Sequence, residues 1–394
     1  MNKCLIFGAI FFLCICPSLG QNHRDWYLNL EELCDRYGYQ YEEHLITSED
    51  GYVTMLQRVR ARLGDDDPNR EPFYANIPLG TGEAMLFLLG SEESPGFRIV
   101  DAGYDLWFLN PRGTDNSRGH VNPDIPPEEY WHFDLIDISQ DHVAALTYII
   151  DETGYPQVHA HGYSSGGLSL GHAIALHPDF FNPRIRSLHY VAATMTFAHT
   201  QFIGFQLIAS IPGVLATLED FGVFAMTTQN IPVQMIGGIS CGMMPQFCLL
   251  MQHFIGGQVD PNYDDPDAYT NFIFRGFAGF ATHLLSHAMQ SVRTGEVTYF
   301  DLGEEENLAA YGQADPPRIP YENHQIPVAM YYSRSDNSAD FEDGQWFADL
   351  IGDNCVAFNE YPGYSHFTFD IGMDMYFLDD MFDILQSYPI EVTN

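Results

Sequence analysis

Residues 157–169 read Gln-Val-His-Ala-His-Gly-Tyr-Ser-Ser-Gly-Gly-Leu-Ser, and the fold turns on how they are read. Gly162-Tyr163-Ser164-Ser165-Gly166 fits G-x-S-x-G, the sharp strand-to-helix turn that holds a serine hydroxyl clear of the backbone. Glycines flank the serine because the turn is crowded and a Cβ there would clash. The neighbours supply the setting this turn needs. Tyr155-Pro156 and then Gln157 to Ala160 read as a turn and a short strand. Leu168, Leu170, Ala173, Ile174 and Leu176 recur beyond it at helical spacing. The alternative is a glycine-rich turn that merely starts a helix. Strand, elbow and helix in succession favour a nucleophile-type serine.

Outward from the elbow, short apolar runs alternate with helical patterns. Tyr41–Thr47 and Gly51–Leu56 read as two strands joined at Ser48-Glu49-Asp50-Gly51. Arg60 to Arg70 reads as a polar loop. Ala84–Leu89 reads as a buried parallel strand ending at Gly90, and Tyr104–Leu109 as another closed by Asn110-Pro111-Arg112-Gly113. A helix is expected over Ile136–Ile150, and strands over Ser187–Ala192, Ile326–Tyr332 and Asn354–Phe358. This alternation implies a mostly parallel α/β sheet. Between roughly 196 and 300 the strand rhythm stops and the chain becomes apolar, helical and rich in Phe and Met, as in Phe247–Phe254 and Phe277–Val292. The expected division is a core over 21–195 and 301–394, interrupted by an inserted helical cap over 196–300. Any one apolar cap residue is most simply core packing; together, above a serine elbow, they suit a lipid-like acyl substrate.

In an α/β-hydrolase the elbow serine is followed by an acid and then a histidine, on loops after late strands. Only His366 lies beyond the expected 326–332 strand, in the turn-rich Tyr361-Pro362-Gly363-Tyr364-Ser365-His366-Phe367. Asp336 stands just past that strand in Ser333-Arg334-Ser335-Asp336, with Asp340, Glu342 and Asp343 as rivals in the same loop. His366 would take the Ser164 proton and return it to the leaving group, while Asp336 fixes the imidazole tautomer.

Residues 1–20 read as a secretory leader: Lys3, an apolar run from Leu5 to Cys16, and small residues at Ser18-Leu19-Gly20. That run is too short to span a membrane, and no later stretch is long enough. A secreted, extracellular protein is expected. Of the cysteines beyond the leader, Cys241 and Cys248 are close in sequence and an oxidising compartment favours their pairing, against two buried thiols. No metal-ligand spacing appears, so no metal is expected. A net charge of −37 opposes both nucleic acid and an anionic lipid surface. Lys3 is the only lysine, leaving arginine as the permanent cation of the mature chain. Arginine keeps its charge in alkaline fluid. A digestive lumen would suit that bias, and compositional drift explains it equally.

With these residues in view, the chain resembles the acid lipase family of gastric and lysosomal lipases, from about residue 30 onward. The likeness runs through Tyr37-Gly38-Tyr39, Asp101-Ala102-Gly103-Tyr104-Asp105-Leu106-Trp107, Asn110-Pro111-Arg112-Gly113 and Trp131-His132-Phe133. It continues through the elbow, Phe300-Asp301-Leu302-Gly303, Pro316-Pro317 and Ser365-His366-Phe367-Thr368-Phe369. The resemblance implies an α/β-hydrolase that cleaves neutral-lipid esters through Ser164, Asp336 and His366, with no cofactor. It also implies a cap carrying a short disulfide, which suits Cys241 and Cys248. The lipid ester, or the lipid–water interface, is then the expected partner. There are departures. The family follows its first core strand with His-Gly and an apolar residue whose N–H is an oxyanion donor. Here Leu86-Phe87-Leu88-Leu89-Gly90-Ser91 lacks the histidine, and Asp101 follows early. Ser165 N–H is the expected first donor, and Ser91 or Leu89 the second. The elbow carries Tyr163 and Ser165 where the family usually has His and Gln, and Thr114-Asp115 departs as well. The alternatives are a lipid-binding or storage homologue with little turnover, or a segment missing from this sequence.

Overall fold

The computed structural model describes residues 28–82, 85–90, 92–226, 241 and 244–391. The expected leader lies outside them. Eight strands form one sheet: β1 Tyr39–Thr47, β2 Tyr52–Arg62, β3 Pro72–Asn76, β4 Asp105–Asn110, β5 Val158–Tyr163, β6 Ile185–Val191, β7 Val328–Tyr332 and β8 Cys355–Glu360. Their order is β1-β2-β4-β3-β5-β6-β7-β8, with the two-residue Gly119–His120 pairing on β2. The β1-β2 and β2-β4 pairs are antiparallel and the pairs from β4 through β8 are parallel. This is the α/β-hydrolase fold. Strands β3 to β7 are buried along their length, Arg186 of β6 excepted, because helices cover both faces.

Two expectations change. The 84–89 strand does not form: Met85–Phe87 is a single turn of 3-10 helix. The strand beside β5 is instead β3, in register from Phe73↔His159 to Asn76↔Gly162. Pro-Phe-Tyr-Ala-Asn is short and bounded by residues that normally signal turns, so its pattern concealed a fully buried strand. The segment between the first parallel strand and the helix Pro95–Asp101 therefore spans 77–94. The short loop expected after Leu89 rested on the misplaced strand. Arg60–Arg62, expected in a loop, completes β2.

The helices that position the site are α1 Leu30–Tyr37, α2 Pro95–Asp101, α3 Ile138–Thr153 and α4 Ser165–Leu176. Between β6 and β7 come α5 Ile203–Ala209, α6 Val214–Asp220, α7 Pro245–Gly256, α8 Pro266–Arg275 and α9 Thr282–Thr294. Cys241 and Cys248 form a disulfide within this segment. The C-terminal ends of β3, β5, β6, β7 and β8 converge at one edge of the sheet, where ligands of open α/β sheets bind.

The Asn110-Pro111-Arg112-Gly113 turn is held by a buried charge network. Arg112 donates to Asp141 through Nε at 3.0 Å and Nη2 at 2.7 Å, and to Asp50 through Nη1 at 2.5 Å. Its guanidinium lies 3.9 Å from the centroid of the Tyr52 ring. The planar fork suits this bidentate, stacked position as lysine would not.

Candidate active site

Ser164 joins β5 to α4 with φ 53° and ψ −128°, a conformation few non-glycine residues adopt. Holding it there costs on the order of 1–3 kcal/mol. The surroundings over-determine it. Ser164 N–H donates to Val191 O at 3.1 Å, and Ser164 O accepts from Thr194 N–H at 3.1 Å. A Cβ on Gly162 would stand 2.5 Å from Gly167 Cα, and one on Gly166 would meet the Ile77 carbonyl at 2.4 Å. Close approach of backbone is what requires these glycines.

The three residues expected from chain order meet at this edge. His366 Nε2 lies 2.9 Å from Ser164 Oγ, and its Nδ1 lies 2.7 Å from Asp336 Oδ2. Asp336 Oδ1 accepts N–H from Ser338 at 2.7 Å and Ala339 at 2.9 Å. With Oδ1 occupied, Oδ2 faces the ring, Nδ1 carries its proton, and Nε2 is left to accept from the serine. All three residues are buried. The rival carboxylates of the loop are placed elsewhere. Asp340 caps the helix α10 Phe341–Ile351 by accepting from Glu342 N–H, and Asp343 pairs with His199 at 2.6 Å. Burial pushes Asp343 up to about 6.

Sequence reasoning missed the groups that hold His366. The Tyr163 hydroxyl donates to His366 O at 2.9 Å and the two rings stack 5.3 Å apart. His366 N–H donates to Gly256 O at 2.6 Å, at the end of α7. Ser365 and Thr368 hydroxyls both donate to Asp264 Oδ1, at 3.3 and 2.5 Å. Gly257 was the available signal: its φ is 101°, and a Cβ there would stand 1.9 Å from Ser335 O. The insertion is thus packed between the Asp336 and His366 loops.

A cleft of about 160 Å³ opens over Ser164 and His366. Its walls include Leu79 and Met85 from the core and Phe202, Phe205, Ile255 and Phe272 from the insertion. Ser165 opens α4, where a helix leaves its first N–H groups without intrahelical partners, and it also lines the cleft. The second donor is expected at Ser91 or Leu89. Leu89 is absent from the cleft walls, and its neighbours are tied elsewhere: Leu88 O accepts from Asn271 Nδ2 and Gly90 O from the Tyr37 hydroxyl. Ser91 lies outside the described residues. The loop that does reach Ser164 is Pro78-Leu79, and Leu79 N–H donates to Ser165 Oγ at 2.9 Å. Among the described residues no cluster of three or more His, Cys, Asp or Glu is arranged to hold a metal.

Comparison with known proteins agrees with this architecture. The family described as alpha/beta hydrolase fold matches residues 96–214, and a partial alpha/beta-hydrolase lipase region matches residues 30–76. A Crotalus adamanteus protein provisionally named lysosomal acid lipase/cholesteryl ester hydrolase is 27% identical over 356 residues, covering 88% of this chain and 87% of that one. Gastric triacylglycerol lipase of Bos taurus is 26% identical over 356 residues, covering 88% of each. Among solved structures, a hypothetical protein of Pseudomonas aeruginosa superposes with a TM-score of 0.50 at 12% identity, covering 94% of this chain and 99% of that one. That last likeness speaks to fold alone.

Proposed function

We propose that this chain, an α/β-hydrolase similar to the acid lipases over most of its length, is a secreted carboxylic ester hydrolase acting on neutral lipid-like esters. The observation that carries the proposal is the hydrogen-bonded chain Ser164–His366–Asp336 at the floor of an apolar cleft. His366 Nε2 takes the Ser164 proton as Oγ attacks the ester carbonyl, and then gives it to the departing alcohol. Water, deprotonated by the same nitrogen, releases the acid from the acyl-serine. Asp336 orients the ring and stabilises its charged form.

The substrate class follows from the walls and from the outer face of the insertion, proposed as the cap over 196–300. Phe205, Ile255 and Phe272 offer an acyl chain apolar contact and offer a charged one nothing. Ile203, Leu207, Ile211, Phe221, Leu250 and Phe254 are exposed on the same insertion, Phe221 at 81%. Exposed apolar side chains such as these suit contact with a lipid–water interface. The charge of −37 directs it to uncharged lipid. The leader-like residues 1–20 and the Cys241–Cys248 bond support secretion into an oxidising compartment.

The test is turnover of soluble p-nitrophenyl butyrate and of emulsified triacylglycerol by wild type and Ser164→Ala. Hydrolysis of either that disappears in the variant supports the reading. A folded wild type that cleaves neither ester, but partitions into the emulsion, overturns it in favour of a lipid-binding protein.

A further inference from the structure

We infer that Ser165 furnishes two oxyanion donors, its backbone N–H and its side-chain hydroxyl, with the Leu79 amide holding that hydroxyl in place. The inference rests on the proposed esterase reading and specifies how this chain would stabilise the transition state. Ester cleavage places a negative charge on the former carbonyl oxygen, and donors must be preorganised where that charge develops. The loop after β3 is poor in available donors. Pro78 has no N–H. Thr81 N–H is taken by Pro78 O at 3.1 Å, and Leu79 N–H by Ser165 Oγ at 2.9 Å. Pro78, Leu79, Thr81 and Met85 are the residues through which this loop meets the cleft, and Met85 N–H is taken by Gly82 O at 3.0 Å.

Ser165 answers the shortage. A hydroxyl that accepts one hydrogen bond retains its own proton for donation. Among the described residues no acceptor is bonded to that proton. Accepting from Leu79 N–H polarises the hydroxyl and restricts the directions in which it can donate. Ser165 is adjacent to Ser164 and lines the same cleft. The packing leaves this corner little freedom, since a Cβ on Gly166 would strike the carbonyl oxygens of Asn76 and Ile77 at 2.5 and 2.4 Å. The residue at position 165 and the loop are thus built against each other.

In the step itself, Ser164 Oγ bonds to the carbonyl carbon and its proton passes to His366. The carbonyl π electrons move onto oxygen, which accepts from Ser165 N–H and Ser165 Oγ–H. On collapse those electrons return, the C–O bond to the alcohol breaks, and His366 protonates the leaving oxygen. Ser165 keeps its proton throughout.

The experiment compares kcat and KM for p-nitrophenyl butyrate in wild type, Ser164→Ala, Ser165→Ala, Ser165→Cys and Ser165→Thr, with thermal melting of each. Ser165→Ala is expected to lose about 100- to 1,000-fold in kcat with KM changed less than about threefold. Ser165→Cys keeps the size but donates weakly, so it too should fall, while Ser165→Thr keeps the hydroxyl and should recover most of the rate. A folded Ser165→Ala or Ser165→Cys at or above the wild-type rate would overturn the inference, because the hydroxyl would then only block the Leu79 amide. The two readings separate cleanly. An inactive wild type removes the esterase proposal, whereas an active wild type, a dead Ser164→Ala and an unaffected Ser165→Ala remove this inference alone.

Discussion

Tyr163 occupies the variable position before the elbow serine, yet its hydroxyl is bonded to the carbonyl of His366, 203 residues away. Position x of G-x-S-x-G points from the end of β5 toward whatever follows β8, so its side chain can brace the histidine loop. Tyr163→Phe keeps the ring stack and removes one buried hydrogen bond, worth about 1 kcal/mol. We expect kcat to fall roughly 5- to 10-fold with the melting temperature little changed; an unaltered kcat would show that the loop needs no such brace. Arg112 belongs to the same scale. Its side chain is 1% exposed and pairs with Asp141, which is fully buried. Arg112→Met strands that carboxylate, and a loss of about 3–5 kcal/mol is expected in denaturant titration. A loss below about 1 kcal/mol would mean that Asp141 finds another partner or takes up a proton.

Elements show most clearly what was legible. The elbow, the helix after it and the strands β4 to β8 could be read because apolar runs and helical spacing do not depend on distant contacts. Asp336 and His366 were found through chain order, and the structure brings them to Ser164. Strand β3 could not be read that way. Its five residues are buried by β4 and β5, and tertiary pairing overrides the turn character of Pro72 and Asn76. Met85, Leu86 and Phe87 are equally buried but belong to a loop, so their apolar run imitated a strand. Misplacing one strand put the loop expected to face Ser164 at 89–91, whereas Pro78 and Leu79 are the residues that line the cleft beside it. At this scale the Cys241–Cys248 bond, between residues 7 apart, ties Cys241 to α7, the helix that ends against His366. Its removal should cost roughly 2–3 kcal/mol by chain entropy. Cys241→Ser/Cys248→Ser is therefore expected to lower the melting temperature and lose activity on heating first. Unchanged heat inactivation would disconnect the bond from the site.

The whole molecule combines a strongly acidic surface with carboxylates buried in its interior. Asp370 is buried, and desolvation raises its pKa well above the ordinary carboxylate range. The unfolded chain releases that proton near pH 4 while the folded protein keeps it. Between those points the folded state binds more protons, so stability falls as pH rises, by up to about 1.4 kcal/mol per pH unit. Asp370→Asn should flatten this slope above about pH 4, read by chemical denaturation. An identical slope in the variant would place the pH dependence elsewhere. The central claim, however, is that Ser164 acts as a nucleophile in a hydrolase facing uncharged lipid. The most direct measurement is covalent labelling with a fluorophosphonate, followed by peptide mapping. The account predicts one phosphonyl adduct, on the peptide containing Ser164, lost in Ser164→Ala and slowed in His366→Ala. An adduct on another residue, or none on a folded protein, would contradict it.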